Sequence, residues 1–402
     1  MNQVLFEGRL LVNMISTLLH KGALQVRYGR VNWERIFRTA DYHRVANIIY
    51  LGLLGNGDMV PERWMGRFFD RYQEALIGGG GCETAEQEIL ALLDAEGVPC
   101  VVLSSATIRG LYELPETADM SPLRLYLSTE NYILVKGFLV DLGYETIQNY
   151  SDYGERMHRI SGMNVDIYQK LPFKTKYYEK GMRELAFRAR VRAGGTGVRI
   201  FYPEDRLVFR LASAAYQYVE DALILRDMLD LFLYHKAWRD QLNHGYIKKK
   251  LQGFHVDVLA DKLLRLSYMW FGEKEDKEYM QTVGELMEDL TPFDILENRI
   301  FSRGEQGKDK ETDPQVLGLT RLLNKEEERE TKKAKRETRR KKKEEKKKAR
   351  GRFWRWVFPD YKYMSGLYPA LEKAPFLLPF YWLSRSIRLL IGMSKNSNKE
   401  DQ

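Results

Sequence analysis

Few side chains in this 402-residue chain have the type and spacing that chemistry needs. Asp227 and Asp230 stand three apart in Leu225-Arg226-Asp227-Met228-Leu229-Asp230-Leu231. On a helix that spacing puts both carboxylates on one face. They can belong to a site, or be an exposed acidic pair or a partner for Arg226. His43 lies on a helical stretch with no evident serine or cysteine partner and reads as structural. The run Gly78 to Gly81 lacks the Lys-Ser/Thr ending and flanking strand of a phosphate loop. Each glycine costs a helix about 1 kcal/mol relative to alanine, so the run is expected to be a flexible joint. Cys82 and Cys100 are too few for a disulfide framework and have no metal-ligand spacing, which points to a reducing cytoplasm.

The stretch from Pro99 to Tyr168 must position whatever site exists. Val101 to Leu103 reads as a short apolar strand, leading into a helical segment from Ala106 to Tyr112. Leu123, Leu125 and Leu127 then alternate with Arg124 and Tyr126, the period of a half-buried strand with the leucines inward. Pro122 suits only the first position of that strand, since proline cannot donate to a central ladder. Ser128 and Thr129 offer an N-cap for a helix to about Leu142, stopped by Gly143. Two further strands, Arg156 to Ile160 and Val165 to Gln169, are joined across Ser161-Gly162.

Leu103-Ser104-Ser105, Met120-Ser121-Pro122-Leu123-Arg124-Leu125 and Val165-Asp166-Ile167-Tyr168 carry a resemblance. This stretch resembles the uncharacterised nucleotidyltransferase family of bacteria, which has the polymerase-β-like nucleotidyltransferase fold. There the first strand ends in Leu-Lys-Gly, the second carries Met-Ser-Asp-Ile-Asp-Leu-Leu, and a later strand carries a third aspartate. The resemblance implies two carboxylates converging on Mg²⁺ ions that bridge a nucleoside triphosphate. Here the aligned metal-binding positions are Pro122 and Arg124, and the Lys-Gly aligns with Ser104-Ser105. The third carboxylate is kept as Asp166. A cation at Arg124 repels divalent ions, so the expectation is a dismantled metal site, no resident metal or cofactor, and an Arg124–Asp166 ion pair. If the protein is active, it needs Mg²⁺, a nucleoside triphosphate and relocated carboxylates, with Asp119 beside the lost pair.

Apolar content of 44% and charged content of 30% describe a soluble globular protein with a polar appendage. The strand pattern and the resemblance together imply an α+β protein, a small mixed sheet inside a helical body. The expected organisation is a helical region over 1–96, the nucleotidyltransferase-like core over 97–172 and a second helical region over 173–301. A polar linker and charged helix over 302–352 and an aromatic-rich tail over 353–402 follow. The front Trp33-Glu34 and Ala40 to Val45, Ile200 to Asp205 and the tail's proline spacing also resemble the family, which implies a tail packed on the body. No stretch reaches the roughly 18 apolar residues of a spanning helix, and Met1 to Leu19 has no basic leader. The net charge of +8 is local: residues 325–352 hold 16 Lys+Arg and 7 Asp+Glu, which leaves the rest at −1. That segment reads as a solvated helix, or as a handle for RNA, an anionic membrane surface or an acidic protein.

Overall fold

The computed structural model describes residues 3–22, 31–54, 60–104, 106–118, 122–150, 153–160, 162–171, 175–276, 291–305 and 308–397. They fall into two compact units, residues 1–326 and 327–402.

The first unit opens with α1 (Gln3–Leu19), α2 (Trp33–Tyr42), α3 (Ala46–Leu53) and α4 (Glu62–Ala95). The apolar spacing alone suggests one helix from Asn32 to Leu54. The chain instead breaks at Arg44, whose φ is +55°. Val45 donates its N–H to the Ala40 carbonyl at 2.8 Å and Arg44 to Asp41 at 3.0 Å, the paired bonds of a Schellman stop. The expected joint at Gly78 to Gly81 is also corrected, because α4 runs through it unbroken for 34 residues. Both flanks are held by packed side chains such as Phe68 and Ile89. Arg109 also donates to the Gly79 carbonyl at 2.9 Å. A Cβ on Gly79 would stand 2.3 Å from that guanidinium, so the glycine admits the arginine rather than loosening the helix.

The sheet consists of β1 (Cys100–Ser104), β2 (Leu123–Leu127), β3 (Glu145–Asn149), β4 (Gly154–His158), β5 (Val165–Tyr168), β6 (Arg190–Val191) and β7 (Val198–Ile200). Its order is β3-β4-β5-β2-β1-β7-β6, with β2–β5 and β1–β7 parallel and the other pairs antiparallel. The strands read from the sequence at Val101 to Leu103, Leu123 to Leu127 and Val165 to Gln169 lie side by side as β1, β2 and β5. Pro122 directly precedes β2, and the ladder begins with Leu123 donating to Asn164 at 3.0 Å. Between β2 and β3 lies α5 (Thr129–Asp141), capped by the Ser128 hydroxyl on the Asn131 N–H and followed by Gly143 at φ +84°. The segment expected to be helical after β1 is a 3₁₀ stretch, Ala106–Leu111.

Alternation assigns the two sheet faces. Leu123, Leu125, Leu127, Val165, Ile167 and Met157 pack with Ile89 and Leu93 of α4 and Val135 and Leu139 of α5. Val101, Leu103, Tyr126 and Tyr168 face the larger helical core. That core includes α6 (Lys176–Arg188), α7 (Pro203–Val219), α8 (Leu225–Trp238), α9 (His244–Phe254), α10 (Asp257–Phe271) and α11 (Thr291–Ser302). Pro203 starts α7 with Glu204 and Asp205 in its first turn, and Tyr268, Trp270 and Phe271 are buried anchors.

The unit boundary falls within the 44-residue α12 (Pro314–Val357), whose first turns bury Val316 and Leu319. The second unit continues with α13 (Tyr361–Leu367), α14 (Ala370–Lys373) and α15 (Leu378–Ser397). Its own small core holds Met364 and Leu371, while Trp354 and Phe358 stack on its exposed side and Trp382 donates to the Pro359 carbonyl at 2.9 Å.

Candidate functional site

Strand register alone gathers the sequence candidates. Ser104 of β1 pairs with Arg124 of β2, Arg124 with Asp166 of β5, and Asp166 with Arg156 of β4. Directly paired residues share a sheet face, so these four side chains form one row across the sheet. Ser105 and Asp119 lie outside the described residues.

Asp166 is fully buried at the centre of that row. Arg156 grips it bidentately, Nε to Oδ1 at 2.7 Å and Nη2 to Oδ2 at 2.9 Å. Tyr150 donates to Oδ1 at 3.3 Å and Tyr168 to Oδ2 at 3.2 Å. The Arg124 Nε stands 3.6 Å from Oδ2, close enough for charge but not for a hydrogen bond. The expected Arg124–Asp166 pair therefore exists as the longer of two contacts, and Arg156 is the main partner. Sequence reasoning missed that arginine. The signal was present, since a hairpin centred on residue 161 sets 156 opposite 166.

Tyr150, Tyr153 and Tyr168 stack near-parallel beside the carboxylate, with centroids 5.6 to 6.5 Å apart. Burial, then the Asp166 charge, raises the pKa of Tyr150 and Tyr168, so both phenols stay protonated donors. The hydrogen bonds it donates to Asp166 likewise hold Arg156 firmly protonated.

The other candidates divide. Asp227 is half-buried on α8, and its carboxyl is pushed up to about 6 by burial and then by Asp230, against the opposing charges of Arg124 and Arg44. It therefore lies within electrostatic reach of the row. Asp230 accepts from the Tyr112 hydroxyl, and Arg210 stands 3.8 Å away. Arg226 is a buried staple, donating to the Arg44 carbonyl at 2.9 and 2.7 Å, the Thr117 carbonyl at 2.6 Å and Asn47 Oδ1 at 2.8 Å. The His43 Nδ1 accepts the Leu225 N–H at 3.1 Å, capping α8. Burial, then Arg303, lowers its pKa to about 4, as expected of a structural histidine. Burial pushes the Cys100 thiol up to about 12, which leaves it a poor nucleophile.

Residues 29–272 match the family model described as uncharacterised nucleotidyltransferase. The chain belongs to that family. No curated protein and no solved structure matches it. Nucleotidyltransferase chemistry of this kind asks for carboxylates converging on divalent ions, and the row does not fit them. The row offers a single carboxylate, and both Asp166 oxygens already accept hydrogen bonds. Two guanidiniums add positive charge where a cation would have to sit. Among the described residues no group of three or more histidine, cysteine, aspartate or glutamate side chains is placed to hold a metal. No described helix is long and apolar enough to cross a membrane.

Proposed function

We propose that this nucleotidyltransferase-family protein has lost nucleotidyl transfer and keeps a binding or regulatory role in the cytoplasm. One observation carries the reading: the surviving carboxylate, Asp166, is neutralised by Arg156. With Asp166 so matched, Arg124 brings a charge in excess. Its side chain is 36% exposed and its Nε has no hydrogen-bond partner among the described residues. An anionic ligand, such as a nucleotide bound weakly through a phosphate without metal, suits that charge. A second reading, an active transferase with relocated carboxylates, draws support from Asp227, whose pKa near 6 suits a general base.

Incubation of the wild type with Mg²⁺ or Mn²⁺ and each nucleoside triphosphate should give no nucleotidyl transfer. Transfer that Asp166→Ala or Asp227→Ala abolishes would instead establish the second reading. Reconstruction is the sharper test. Pro122→Asp, Arg124→Asp, Ser104→Lys and Ser105→Gly restore the family pattern, yet calorimetry should detect Mn²⁺ binding only once Arg156→Met is added. Metal binding by the wild type would refute the decayed-site reading.

A further inference from the structure

We infer that the second unit, residues 327–402, docks on the surface of an anionic lipid bilayer, independently of the sheet site. Two features of this unit combine. The first is charge: among residues 328–348, every side chain whose exposure is described is exposed along α12. Residues 374–397 then carry Arg385, Arg388 and Lys395 with no aspartate or glutamate.

The second is an apolar stripe. Phe376, Phe380, Leu383 and Ile387 are 77%, 71%, 63% and 49% exposed, while Trp382 and Tyr381 turn toward their own unit's aromatics. At 100° per residue Phe380, Leu383 and Ile387 fall within about 60° of the α15 circumference, and Phe376 lies in the 3₁₀ turn just before it. A narrow apolar stripe on a cationic unit, none of whose described helices is long and apolar enough to span a membrane, is the make-up of an element lying in the headgroup layer.

The charge is complementary to anionic headgroups, and the aliphatic Leu383 and Ile387 gain from acyl chains what they cannot gain from RNA, whose bases reward aromatic stacking. An acidic protein would answer the charge but gives no account of the stripe.

The 402-residue chain should co-sediment with vesicles of phosphatidylcholine containing phosphatidylserine, and at least about tenfold less with phosphatidylcholine alone. Phe380→Ser with Leu383→Ser and Ile387→Ser should lower that binding about tenfold or more with the melting temperature unchanged. Lys341→Glu with Lys342→Glu and Lys343→Glu should do the same, and the remaining binding should fall as salt rises. Stripe variants that bind vesicles like the wild type would overturn the proposal. So would stripe variants that lower the melting temperature without altering vesicle binding, because the stripe then packs on the chain itself. Binding to polyuridylate with none to vesicles would assign the charge to nucleic acid and also overturn it.

Discussion

At the scale of residues, two arginines share one buried carboxylate unequally. Arg156 makes two hydrogen bonds to Asp166, whereas Arg124 makes only a charge contact. Breaking a buried pair leaves an uncompensated charge, at a cost of roughly 3 kcal/mol or more. Arg156→Met should therefore destabilise the protein by about that much, and Arg124→Met by no more than about 1 kcal/mol. Urea denaturation of both variants checks the order, and a larger loss for Arg124→Met would mean the pairing is misassigned. Asp227 offers a test in pH. Its folded-state pKa, near 6, is above the value of an unfolded aspartate, so the native state binds the extra proton between about pH 4 and pH 6. Stability from this group is thus complete below pH 4 and lost as pH rises through 6. Asp227→Asn should come close to the wild type near pH 4 and exceed it by about 3 kcal/mol near pH 7.5. A gain that is flat with pH would show that Asp227 is not strained when ionised.

At the scale of elements, α4 separates two kinds of glycine. Gly66 has open space where a Cβ would go, whereas Gly79 has the Arg109 guanidinium 2.3 Å away. Gly66→Ala should raise stability by up to about 1 kcal/mol through helix propensity. Gly79→Ala should gain less or lose, since Arg109 must give up its place and its bond to the Gly79 carbonyl. Equal gains in thermal denaturation would show that the arginine is not seated there. The same helix shows why reading the sequence failed locally. Propensity sees four glycines in a row, while their retention depends on partners such as Arg109, thirty residues away in sequence. The three central strands were legible because Leu123, Leu125 and Leu127 report one buried face through spacing alone. Strands β6 and β7 were not, being two and three residues long, too short for any period to show. For the site, Arg124 and Asp166 stood out by alignment with a motif. Arg156 belongs to no motif and becomes visible only through strand register.

At the scale of the whole molecule, the buried core clusters draw on residues of the first unit, and among the described residues Met364 and Leu371 are the fully buried apolar anchors of the second. A chain ending at Glu326 should keep the melting temperature of the main transition within a few degrees, read by circular dichroism, and a large drop would show that residues 327–402 support the first unit. The hairpin contact has a further bearing on how the chain reaches its native state. Arg156 and Asp166 are only ten residues apart, whereas Arg124 must be brought from forty-two residues upstream. Closing the short loop costs less chain entropy, so the β4–β5 hairpin can form its ion pair before β2 docks alongside. The carboxylate would then be matched early, and β2 would add Arg124 to a centre already neutralised. In stopped-flow kinetics, Arg156→Met should mainly slow folding, while Arg124→Met should mainly speed unfolding. If both slow folding alike, β2 is already in place at the rate-limiting barrier.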